Sequence, residues 1–137
     1  MDRELVLVCQ ECDRRIWGGF GYLWADTTQV AHVGQARRDW EAKHSDGPVD
    51  LLNFLSYPEP APWQAHHQAC DPDREGAHYR LASQKLRTGA DLLRWTAHLM
   101  GKNWLHLTDW SDLIQEALQG GRRIAVPELR NRASRTL

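Results

Sequence analysis

The alternation of hydrophobic and polar positions changes several times along the chain, and its first part is typical of β-structure. Residues 4–8 (ELVLV) form a short apolar run that predicts a strand. Three glycines then punctuate residues 18–21, and the apolar segment 20–25 predicts a second strand. We therefore expect a β-hairpin over about 14–25. Residues 78–82 predict another short strand later in the chain.

Further segments show the period of amphipathic helices. Predicted helices cover residues 27–44, 49–56, 88–101 and 108–119. Three of them begin at a residue type that commonly caps a helix N-terminus, namely Thr27 or Thr28, Thr88, and Thr108. Between the second helix and residue 63, prolines predict an extended segment.

These elements predict one small α+β domain over residues 1–119, in which an N-terminal β-hairpin packs against several short helices. Residues 27–57 form a long helical insertion in this prediction, and residues 120–137 form a basic C-terminal tail. A length of 137 residues suits one domain with a single hydrophobic core.

The same sequence favours a cytoplasmic protein. No apolar run approaches the roughly 18 residues that a transmembrane helix needs. The N-terminal sequence MDRELVLVCQEC lacks the basic segment and long apolar stretch of a signal peptide. Three cysteines cannot pair completely as disulfides, which favours a reducing compartment.

Charge is distributed unevenly along the chain. The net charge of −1 excludes a polycation that grips nucleic acid over its whole surface. Residues 120–137, however, carry five arginines against one glutamate, a net charge of +4. These arginines are the candidate contacts to nucleic acid or to an acidic protein: Arg122, Arg123, Arg130, Arg132 and Arg135.

The strongest chemical signal is the pair of short motifs Cys9-x-x-Cys12 and His67-x-x-Cys70. Two residues between ligands let one tight turn present both side chains to the same ion, and two such turns complete a tetrahedron. Thiolates and imidazole suit zinc better than they suit calcium or magnesium. We therefore expect one structural Zn²⁺ on Cys₃His, with His66 as the alternative to His67. The 54 residues between Cys12 and His67 accommodate the predicted helical insertion.

The residues around these motifs resemble two known kinds of zinc finger. The Cys-x-x-Cys turn is followed by Ile16, Gly19 and a strand, and Trp63 stands shortly before His67-x-x-Cys70. This pattern, over residues 5–72, resembles LIM-type fingers and the fingers of poly(ADP-ribose) polymerases. The resemblance implies zinc ligation and, more remotely, binding of a peptide or a DNA end. The later stretch 92–110 resembles small proteins of high-GC bacteria and their phages, which implies no particular activity.

A binding role is favoured over an enzymatic one. Four protein ligands leave a zinc ion no open position for water, so the metal is expected to supply folding energy. We expect an adaptor or regulator of another protein or of a nucleic acid. A protein partner is slightly favoured because the chain outside the tail is acidic, and Trp104 or Trp110 could lie in an exposed apolar patch. A membrane partner is not expected.

Two enzymatic alternatives exist. A metal-dependent nuclease or other hydrolase could use His66 or His67 beside the zinc turn. A thiol redox enzyme of the thioredoxin type needs a helix that begins at its first cysteine, and the glycines at 18, 19 and 21 disfavour one here.

Overall fold

The computed structural model describes residues 4–47 and 51–126. Its α+β architecture confirms the predicted fold class, with two small antiparallel sheets and four helices over the described residues. The strands are β1 (Val6–Leu7), β2 (Gly21–Asp26), β3 (Trp63–His67), β4 (His78–Ala82) and β5 (Ile124–Ala125). The helices are α1 (Thr27–Lys43), α2 (Leu51–Phe54), α3 (Gly89–Leu99) and α4 (Trp110–Gln119).

The larger sheet has three strands in the order β3-β2-β4, with β2 antiparallel to both neighbours. Leu23 of β2 lies opposite Ala65 on one side and opposite Leu81 on the other, and all three are buried in the core. Trp24 points to the opposite face and is also buried. β2 is therefore the central strand, with buried side chains on both of its faces. The predicted hairpin over 14–25 is therefore wrong, because β2 pairs with two strands that come much later in the chain.

A tighter hairpin connects residues 7–9 to residues 14–16. Val8 pairs with Arg15, and the amide of Cys9 donates to the carbonyl of Arg14 at 2.9 Å. Asp13 closes the turn with φ of 59°, a left-handed conformation that aspartate tolerates better than most residues. The Cys-x-x-Cys motif thus lies at the tip of this hairpin, which we call the knuckle (residues 7–16).

The second sheet joins the two ends of the described chain. β1 pairs antiparallel with β5, with Leu7 opposite Ile124. Ile124, Ala125 and Val126 are all buried. Residues 120–126 therefore belong to the fold, and the predicted boundary after residue 119 is too early. The rest of the predicted tail, residues 127–137, lies outside the described residues.

Helices α1 and α2 lie within residues 27–57, the range of the predicted insertion. Asp26, and not Thr27 or Thr28, caps α1, and its carboxylate accepts from the amide of Thr28 at 2.9 Å. The apolar side chains of the segment around α2 are exposed to solvent: Leu51, Leu52, Phe54 and Leu55. No helix of the described residues is long and apolar enough to cross a membrane.

Helices α3 and α4 begin close to the predicted positions. The hydroxyl of Thr88 accepts from the amide of Asp91 at 3.2 Å, as the predicted cap requires. The N-cap of α4 is Asp109, because the hydroxyl of Thr108 instead accepts from the indole of Trp63 at 2.9 Å. Gly120 ends α4 with φ of 79°.

Aromatic side chains fill the centre of the core. Trp63 is fully buried and packs against Trp110 and Trp104, with ring centroids 5.1 and 6.1 Å away. Tyr79 packs edge-on against Trp63 and Trp104. Trp110 is buried and Trp104 is half-buried, so both serve the core and do not form the exposed apolar patch that the sequence suggested.

Candidate metal centre

Four side chains converge where the knuckle meets the end of β3. Cys9 and Cys12 come from the knuckle, His67 ends β3, and Cys70 ends the 3₁₀ turn that follows. One ligand atom from each lies within 4.8 Å of the others, and Cys12 Sγ is 3.4 Å from His67 Nδ1. The four residues lie close enough to bind one metal ion, as their spacing predicts.

Backbone contacts hold the knuckle against β3. The amide of Gln10 donates to the carbonyl of Ala65 at 2.9 Å, and the side chain of Gln10 accepts from the amide of Ala65 at 2.8 Å. Gly21 of β2 lies directly beneath this junction. A Cβ atom there would stand 2.5 Å from the carbonyl oxygen of His66 and 2.6 Å from a methyl of Ile16. The close approach of knuckle and strand therefore requires glycine at this position.

The imidazole of His67 is oriented by its second nitrogen. Its Nε2 lies 3.2 Å from the carbonyl oxygen of Arg15, within the knuckle. A proton on Nε2 leaves Nδ1 unprotonated and directed toward the thiols. Outer contacts of this kind orient metal-bound histidines in proteins and fix their tautomer.

The thiols differ in acidity. Burial alone raises the pKa of Cys9, but hydrogen bonds from the backbone of His67, Cys12 and Glu11 outweigh it and lower the pKa to about 6. Burial and the neighbouring sulfurs raise the pKa of Cys70 to about 11. Cys9 is therefore the more acidic of these two thiols, and a metal ion that binds both would displace the proton of Cys70.

His66 and His67 point to opposite faces of β3, because successive side chains of a strand alternate. His66 is buried, and its Nδ1 accepts from the indole of Trp24 at 3.0 Å. Burial also lowers the pKa of His66 and favours the neutral ring that this hydrogen bond requires. The structure thus groups His67, and not the alternative His66, with the three cysteines.

A polar cluster on that opposite face was not found by sequence reasoning. Its centre is Asp71, the residue after Cys70, whose carboxylate accepts from the hydroxyl of Tyr22 and from the amide of Asp73. Burial works against this charge, but the bond from Tyr22 and the other donors lower the pKa of Asp71. The ring of His78 stacks on Trp24 with centroids 3.9 Å apart. The cluster fixes the start of the loop that leaves Cys70.

The candidate arginines of the tail have different surroundings. Arg123 is 6% exposed, and its guanidinium donates to Asp109 at 2.7 Å, to Glu116 at 2.8 Å and to the carbonyl of Trp63 at 2.8 Å. These internal bonds leave it unavailable to a nucleic-acid phosphate, which corrects its assignment as a contact residue. Arg122 is exposed. The other candidates, Arg130, Arg132 and Arg135, lie outside the described residues.

Comparison with known proteins finds no family model, no curated protein and no solved structure that matches this chain. The resemblance to LIM-type and poly(ADP-ribose) polymerase fingers therefore stays a prediction, and functional inference depends on the site itself.

Proposed function

We propose that this chain is a binding module stabilised by one structural Zn²⁺, and that it acts as an adaptor or regulator of another protein or of a nucleic acid. The observation that carries the proposal is the convergence of Cys9, Cys12, His67 and Cys70 within 4.8 Å. Three sulfur ligands and one imidazole are a common structural zinc set, and hard cations that prefer oxygen ligands do not select it.

The position of the group in the fold supports a structural role. It links the knuckle to the end of β3, two segments that are separated by more than fifty residues of sequence. Metal binding at such a junction stabilises the folded chain because the unfolded chain has no preformed site. Four protein ligands also complete the coordination of zinc, so no position is kept for a reacting water.

The hydrolase alternative is less well supported. A general base beside the metal would have to be a side chain outside the ligand set, and His66 was the candidate for it. His66 instead accepts from the buried indole of Trp24 on the far face of β3. This position gives no support to a role as base, since a general base must lie within hydrogen-bonding distance of the proton that it removes.

Elemental analysis of the purified protein tests the zinc assignment. We expect about one zinc per chain in the wild type, and loss of zinc together with unfolding in Cys70→Ala. His67→Ala should also lose zinc. Its matched control is His32→Ala, which replaces an exposed histidine on α1 and should retain zinc. A folded wild-type protein that contains no zinc, and that neither takes up zinc nor gains thermal stability from it, would refute the proposal.

A further inference from the structure

We propose that a groove beside the metal centre binds single-stranded nucleic acid, with Trp17 and Phe20 stacking on bases and Arg14 and Arg74 contacting phosphates. The inference rests on the proposed function, since the proposed metal would hold the walls of the groove together. The groove has a volume of about 660 Å³ and includes the solvent side of Cys12 and Cys70.

The two aromatic side chains are held at the rim of the groove by one tight turn. The amide of Phe20 donates to the carbonyl of Trp17 at 3.1 Å, so residues 17–20 form a turn. Gly18 adopts φ of 50° in this turn, and its carbonyl accepts from the hydroxyl of Ser83. Anchored in this way, Trp17 and Phe20 both line the groove.

Both rings are unusually open to solvent for large apolar side chains. Trp17 is 61% exposed and Phe20 is 73% exposed. The guanidinium of Arg15 lies 3.9 Å from the centre of the Trp17 ring, and Arg15 is itself paired with Glu4. One face of the indole is therefore covered by a cation that orients it, while much of the ring remains accessible. Stacking platforms for unpaired bases have this form.

The charges that line the groove favour a polyanion. Arg14 and Arg74 are both exposed, and neither has a carboxylate partner among the described residues. None of the described residues that line the groove is acidic. Three thiolates, one neutral imidazole and Zn²⁺ together carry one negative charge, which the two arginines exceed. Gln68 adds an amide for the edges of bases.

A single strand fits these features better than a duplex or an acidic peptide. The flat faces of bases become available to aromatic rings only when the bases are unpaired and unstacked. An acidic peptide would use the two arginines but would leave the exposed rings without a flat partner. The geometry thus combines the two contacts that single strands make, stacking on aromatic rings and neutralisation of the backbone.

The test measures fluorescence anisotropy of labelled oligothymidylate and oligouridylate with the zinc-loaded full chain. We expect Trp17→Ala and Phe20→Ala each to weaken binding about 5- to 150-fold, the usual range for loss of one base–aromatic stack. The double variant Arg14→Gln with Arg74→Gln should reduce the slope of log K against log salt by about 1.4. Phe54→Ala is the matched control for an exposed aromatic ring and should leave binding unchanged.

Other outcomes would overturn the inference. These are no binding of either oligonucleotide at low salt, equal binding of a duplex of the same length, or equal competition by polyglutamate. Binding that is lost in Arg122→Gln but retained in Trp17→Ala would place the contact in the C-terminal segment and not in the groove. Zinc content, measured on each protein, separates these results from failure of the proposed function. A folded, zinc-loaded chain that does not bind oligonucleotides would refute the inference about the groove but not the proposed zinc site.

Discussion

Replacement of Arg123 by alanine removes the buried cation that neutralises two partly buried carboxylates. The guanidinium bonds Asp109, Glu116 and the main chain of Trp63 at once. Loss of one partner from a buried ion pair costs about 3–5 kcal/mol, because the remaining charge stays desolvated and unpaired. The side chain of Asp109 is 14% exposed and that of Glu116 is 29% exposed, so Glu116 can still reach water. We therefore expect a loss near the lower end, about 3 kcal/mol.

Urea unfolding, followed by circular dichroism with zinc in fixed excess, measures this loss. With a denaturant dependence of about 1.5 kcal/mol per molar urea, a loss of 3 kcal/mol lowers the midpoint by about 2 M. Small domains have about 5–15 kcal/mol of stability, so the variant should still fold. Zinc must be held constant because a bound metal adds to the apparent stability.

Two further variants make this prediction specific. Arg122→Ala changes the neighbouring exposed arginine and should alter the free energy of unfolding by less than about 0.5 kcal/mol. Arg123→Lys keeps the charge but loses the planar fork, so we expect an intermediate loss. If Arg123→Ala were no more destabilising than Arg122→Ala, the assignment of Arg123 to the interior would be refuted.

Three shorter predictions concern the site and the core. Gly21→Ala should lower the free energy of unfolding in urea by about 1–3 kcal/mol and weaken zinc affinity in a chelator competition, because its Cβ would stand 2.5 Å from the carbonyl oxygen of His66. The control is Gly19→Ala, whose Cβ would stand 3.3 Å from the flexible side-chain amide of Gln84. Burial raises the pKa of Tyr79 in the folded chain. The stability that the neutral phenol contributes is therefore complete below its unfolded pKa of about 10, and it is lost as the pH rises through the raised folded pKa. Thermal unfolding of Tyr79→Phe should accordingly show a shallower alkaline loss than the wild type, and an identical loss would contradict this. His66→Ala should retain zinc but lower the free energy of unfolding by about 1–2 kcal/mol, because the buried indole N–H of Trp24 loses its acceptor. His67→Ala should lose zinc, and elemental analysis distinguishes the two variants.

The metal group and most helices were predictable because their signals are local. Two residues between ligands define a turn wherever it lies in the chain, and Thr88 caps α3 through an amide three residues away. The strand at 78–82 was also predicted with its observed bounds. Such features depend on neighbours in sequence, which a pattern records directly.

The remaining features depend on tertiary contacts that no local pattern encodes. The period of β2 indicates which side chains share a face, but it does not indicate that β3 and β4 will be its neighbours. Arg123 lies in a C-terminal segment that is rich in arginine, so its charge suggested a solvent-exposed tail. Its ion pair is instead with Asp109, 14 residues away. Tyr22 and Asp71, which bond across the second face of the sheet, are 49 residues apart.

The pairing of β1 with β5 has a consequence for synthesis on the ribosome. β1 emerges well before its partner strand, which ends at residue 125. The metal ligands, in contrast, are complete once residue 70 has emerged. If the four residues bind zinc as proposed, the metal can join the knuckle to β3 during translation, before β5 is available to pair with β1. Zinc starvation should therefore increase aggregation of the nascent chain more than aggregation of the completed protein. In the nascent chain β1 is unpaired, and without zinc no metal holds the adjoining knuckle against β3.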